Sequence, residues 1–168
     1  HAAGGGMGDT VCMAAALLTL TGLSIAGLVT SLLVALGLIS FGESHVGLAV
    51  FATMLNLLAH SFMMFYLIGK GKAVREAVAE GGLDPEYVRR ISRLRAPVFS
   101  QATIAMALTM AAGIMGASVG AGSVSAWPHA VLAAGGIAWQ LRALQLEGLA
   151  LAGIGRVVDE VNARLAHP

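Results

Sequence analysis

Residues 46–72 read VGLAVFATMLNLLAHSFMMFYLIGKGK, an uncharged apolar run from Val46 to Gly69 that ends on Lys70 and Lys72. A helix of this length reaches across the hydrocarbon core of a bilayer, about 30 Å thick, and the lysines mark where the apolar surroundings stop. Asn56 and His60 stand inside the run. At 100° per residue they share one stripe with His45 and Met63, all four within about 60° of one another. The stretch therefore reads as a membrane-crossing helix with a single polar face.

Working outward, Val11 to Phe41 is a first uncharged stretch, roughly 46 Å long as a helix, so it must tilt or protrude. A signal peptide is the competing reading, but its apolar region is shorter and follows a basic segment, which is absent here. The short turn Gly42-Glu43-Ser44 makes spans one and two a hairpin. A third span runs from Pro97 to Gly120. A fourth, over 127–151, opens at Trp127-Pro128, where proline suits the first helical turn. An amphipathic tail over 152–168 follows, and residues 1–6 read as the remnant of a tag and linker before Met7, leaving one membrane domain over 7–168. The expected fold class is all-α: a polytopic integral membrane protein built as an antiparallel four-helix bundle.

Composition agrees. Of 168 residues, 57% are hydrophobic and 11% charged, with a mean hydropathy of +0.81. Soluble domains carry about 45–50% apolar and about 25% charged residues, so an ordinary water-soluble or disordered chain is excluded. A net charge of +1 provides no basic field for nucleic acid. The single cysteine, Cys12, excludes an internal disulfide and any multi-cysteine metal site within one chain.

The position of the charges sets the orientation. Seven of the ten Lys and Arg residues, Lys70, Lys72, Arg75, Arg89, Arg90, Arg93 and Arg95, lie in the segment 70–96 between spans two and three. The positive-inside rule makes that loop and both termini cytoplasmic, in a plasma membrane of the bacterial inner-membrane type. Gly81-Gly82 ends one helical extension and Asp84-Pro85-Glu86 begins another, so the loop is expected to form a helical hairpin. Small residues recur every four positions at Gly22, Ala26 and Thr30 and at Ala112, Gly116 and Gly120, and predict close helix contacts.

Polar groups inside the membrane carry the functional expectations, because each is costly to insert. On the fourth span, His129, Gly136, Gln140 and Glu147 fall within about 20° of one line. From the 1.5 Å rise, His60 and Gln140 lie roughly 22 and 20 Å below the outer surface and Glu147 roughly 30 Å. Asn56, His60, Gln140 and Glu147, joined by Gln101 from the third span, are the candidate cofactor-binding layer. His45 and His129, at the outer starts of spans two and four, are candidate ligands for a haem iron or a metal ion, with Glu43 as a carboxylate partner. No nucleophile–base pair, phosphate loop or HExxH motif is present.

These residues predict a non-catalytic membrane subunit of a larger assembly that contacts a redox cofactor, haem b or a quinone, through its histidines. The competing expectations are a homo-oligomeric ion or proton channel, or small transporter, and a purely structural assembly protein. The partners expected are the lipid bilayer and either another protein or further copies of the chain, with no nucleic acid.

Overall fold

The computed structural model describes residues 6–40 and 45–166, and side chains over 12–40 and 46–166. Those residues form four α-helices: α1 (Gly6–Ala35), α2 (His45–Glu80), α3 (Glu86–Gly120) and α4 (Ala126–Ala166). α2 continues unbroken through the lysines to Glu80, and α3 starts at Glu86, so the basic segment is mostly helical extension around a short turn. α4 likewise runs without a break from the apolar part of the chain into its tail. Glu43 lies outside the described residues.

Local chemistry accounts for the helix ends. α1, α2 and α3 are each followed by a glycine at positive φ, Gly37, Gly82 and Gly122, a region that disfavours residues with a Cβ. The next residue donates back across the turn in each case: Leu38 to Leu33, Leu83 to Val78 and Ser123 to Ser118, all at 3.0 Å. This is the Schellman closure, which satisfies carbonyls that a helix end leaves without partners. At the start of α3, Asp84 Oδ1 accepts the Glu86 backbone N–H at 2.7 Å, so the acidic residue ahead of Pro85 caps the helix.

α1 packs on α2 and α4, and α3 packs on α2 and α4, while α2 and α4 meet across the interior; among the described residues no Cα of α1 comes within 8 Å of one of α3. Glycines set the closest approaches. A Cβ at Gly27 would stand 2.9 Å from that of Ala52, and one at Gly153 would stand 2.8 Å from Leu94 Cδ2. The contact of α1 with α2 thus uses Gly27. Gly22 faces open space and Thr30 bonds its own helix at Ala26, so that small-residue stripe is not the seam within this chain.

The interior divides into two zones. Towards the end carrying the α2–α3 turn, the charged end, Met63, Leu67, Val98, Ile154, Val157 and Val161 form an apolar core. The exterior is also apolar: Phe51, Phe65, Ile114 and Leu149 are each more than 60% exposed. An apolar surface this extensive is unfavourable in water and favourable in lipid. Three helical stretches, Cys12–Ala35, Val46–Glu80 and Glu86–Gly120, are long and apolar enough to cross a membrane. α4 carries Gln140, Arg142, Gln145 and Glu147 near its middle.

Candidate functional site

Halfway along the bundle the interior becomes polar. Asn56 and His60 lie one turn apart on α2, and Gln140 and Glu147 lie two turns apart on α4, so each pair faces the same way. Because α2 and α4 meet across the interior, the two stripes converge, and all four side chains have no exposed surface. His60 Nδ1 is 2.6 Å from Glu147 Oε1, and its Nε2 is 2.6 Å from Gln140 Oε1. The Gln140 amide nitrogen donates to Asn56 Oδ1 at 2.9 Å, to Thr109 Oγ1 at 2.8 Å and to the Ala105 carbonyl at 3.2 Å. Asn56 Nδ2 in turn donates to Ser24 Oγ at 3.3 Å, and Ser24 donates to the Thr21 carbonyl at 2.7 Å. All four helices therefore meet in one hydrogen-bonded layer.

The directions of these bonds determine the protons. Three acceptors surround the Gln140 nitrogen, so its oxygen faces His60, and His60 must donate from Nε2. The remaining contact, Nδ1 to Glu147, then contains one proton. It belongs either to an imidazolium beside a carboxylate or to a carboxylic acid beside a neutral ring, and the pair is neutral overall in both cases. Neutrality matters in a low-dielectric interior, where an unpaired charge costs several kcal/mol, roughly 3–5 when one partner of a buried pair is removed. The second carboxyl oxygen, Glu147 Oε2, is buried without a partner.

Gln101, expected in this layer, is absent from it. Its side chain makes no hydrogen bond among the described residues, and α3 instead contributes Thr109 and the Ala105 carbonyl. The reason is axial level: Thr109 stands eight residues, about 12 Å, further along α3 than Gln101. Thr109, Ser24 and Thr21 escaped sequence reasoning because mid-helix hydroxyls ordinarily bond their own helix. Thr109 does so too, donating to Ala105 at 2.9 Å while receiving Gln140.

On the far side of this layer from the charged end lies a partly open cavity of about 390 Å³ lined by residues of all four helices. Leu28, Ser31 and Leu32 come from α1, Ala49 and Thr53 from α2, Gly113 and Gly116 from α3, and Ala133 and Gly136 from α4. The cavity exists because small residues leave it unfilled. Thr109 belongs to its wall and to the polar layer at once. His129 also lines it, with its ring against Gly116, where a Cβ would stand 2.9 Å from the ring carbon Cε1, and with Nδ1 buried and unpartnered.

Of the proposed metal set, His129 is thus at a cavity. His45 is the first residue of α2, one turn ahead of the cavity residue Ala49, but its side chain, like Glu43, lies outside the described ones. Among the described residues no three His, Cys, Asp or Glu side chains cluster as a metal site would require. No protein-family model matches this chain, and neither a curated protein nor a solved structure is significantly similar to it.

Proposed function

We propose that the chain is an antiparallel four-helix integral membrane subunit whose cavity holds the ring of a quinone, with His129 as its hydrogen-bonding partner. In this reading all four helices cross the bilayer. The single observation that carries the proposal is the cavity itself: apolar, lined by residues of four helices, open at the lipid-facing surface along Val46, Val50 and Met54, and bordered by a buried imidazole nitrogen without a partner. Ligand pockets of this kind pair apolar walls with a few oriented polar groups, at volumes of about 300–1,000 Å³. His129 Nδ1–H would donate to a quinone carbonyl, and Thr109 would present an oxygen at the floor. Reduction of the ring takes two electrons and two protons, and in this reading the electrons come from a redox partner protein. The role proposed is non-catalytic by itself and depends on an assembly.

The interior supports this reading over an ion path. Beyond Glu147 towards the charged end, the described interior is closed by Leu67, Val98 and Ile154, so no polar route continues there. A second reading, haem b, is favoured by His45 and His129 standing at the starts of helices that face each other. In that case an imidazole of His129 would ligate the iron. His60 is less suited to that role, since both its ring nitrogens are engaged.

The test is solvent extraction and visible spectroscopy of the detergent-purified full chain. Copurifying quinone that is lost in His129→Leu, with a featureless visible spectrum, supports the proposal. A Soret band with reducible α and β bands transfers the cavity to haem b. Absence of both overturns the cofactor reading and leaves a packing role.

A further inference from the structure

Three arginines of the charged end are held by carboxylates within the chain. Arg89 and Arg93 pair with Glu86 at 2.7 and 3.0 Å, and Arg90 grips Glu160 through two bonds of 2.5 and 2.9 Å. Lys72 and Arg75 on α2 and Arg95 on α3 border one pocket of about 430 Å³, together with Ile68, Ala96 and Phe99. Neither Arg75 nor Arg95 has a carboxylate partner among the described residues, and Lys72 has only the exposed Glu76 at 3.7 Å, one turn further on. Gly71 shapes the site: a Cβ there would stand 2.8 Å from Arg95 Nη1, so its absence lets the guanidinium lie against α2.

The pocket is amphipathic in a specific order. Ile68 precedes Lys72 and Arg75 along α2, and Ala96 and Phe99 follow Arg95 along α3, so the apolar lining lies on the side of the apolar spans and the cations lie beyond it. We propose that this pocket binds an anionic phospholipid, its headgroup phosphate held by Lys72, Arg75 and Arg95 and one acyl chain lying along Ile68, Ala96 and Phe99. Arginine forks match phosphate oxygens in pairs, and basic pockets between membrane helices are suited to such headgroups. A free phosphate offers the same charge but leaves the apolar lining without a ligand. The proposal rests on the helices crossing a bilayer and is independent of the cofactor cavity.

The experiment is native mass spectrometry of the delipidated full chain in detergent, titrated with phosphatidylglycerol or phosphatidylcholine of identical acyl chains. The wild type is expected to retain phosphatidylglycerol preferentially. Arg75→Gln with Arg95→Gln is expected to cut that preference about 30-fold, at about 1 kcal/mol per cation. Arg89→Gln with Arg93→Gln, which removes equal charge nearby, is expected to preserve it. Gly71→Ala keeps every charge while displacing Arg95, and is expected to weaken retention even if the double variant fails to fold. Equal retention of the two lipids by the wild type, or equal losses in both double variants, overturns the proposal. Complete displacement of phosphatidylglycerol by millimolar inorganic phosphate overturns the lipid as ligand and leaves an anion site. Failure of the membrane reading would register separately, as a chain that remains monodisperse in buffer without detergent.

Discussion

His60 Nδ1 lies 2.6 Å from Glu147 Oε1, joining α2 to α4 between two side chains that have no exposed surface. The contact spans 87 positions of sequence and holds one proton between a ring and a carboxyl group, so the two residues act as one neutral unit. Changing either alone strands the other. His60→Ala leaves oxygens of both Glu147 and Gln140 without their donor, and each interhelical hydrogen bond in a membrane bundle contributes about 0.6–2 kcal/mol. A double-mutant cycle with Glu147→Ala, read from unfolding in detergent micelles, should return a coupling of about 0.5–3 kcal/mol. A coupling of zero would contradict the shared proton.

Thr109 and Gln101 separate the observed layer from the one expected of the sequence. Thr109→Val keeps the shape but removes the oxygen that receives Gln140, and should cost about 0.6–1.7 kcal/mol. Gln101→Ala should stay within about 0.5 kcal/mol of wild type, because the Gln101 side chain makes no hydrogen bond among the described residues. The reverse order in a thermal-melt series would place the polar layer at the wrong level of α3.

Gly116 and Gly113 both line the cavity but differ in what surrounds them. A Cβ at Gly116 meets the His129 ring, whereas a Cβ at Gly113 meets nothing within 4 Å. Gly116→Ala should therefore displace the imidazole and reduce quinone retention several-fold, while Gly113→Ala leaves it close to wild type. Retention is read by extraction and chromatography against protein concentration, and equal retention in the two variants would remove His129 from the proposed site.

The Arg90–Glu160 clamp ties the start of α3 to the end of α4 and should respond to acid. The hydrogen bond from Arg90 holds the Glu160 carboxyl below its ordinary value of 4.5. A depressed carboxyl contributes stability that is present above the ordinary value and lost as pH falls through the lowered one. Amide exchange across the last turns of α4 should accelerate over that acid range, more weakly at high salt because the pair is exposed. Glu160→Gln should flatten the pH response, and an unchanged response would assign it to another group.

Much of this architecture is legible one segment at a time. Uninterrupted apolar runs, Gly81-Gly82 and Asp84-Pro85 act through neighbours a few residues away, so they specify helices and their ends without reference to the rest of the chain; the first span, expected to reach Phe41, instead ends at Ala35, where Gly37 at positive φ closes the helix. The polar stripes on α2 and α4 follow from helical spacing for the same reason, and they identified Asn56, His60, Gln140 and Glu147. Spacing along a helix does not state how far that helix slides or turns against its neighbours. That shift brings Thr109 to Gln140 and leaves Gln101 aside, sets Ser24 beneath Asn56, and lays His129 on Gly116 at the edge of a cavity. Those contacts depend on the relative level and rotation of four packed helices, which only the tertiary structure decides.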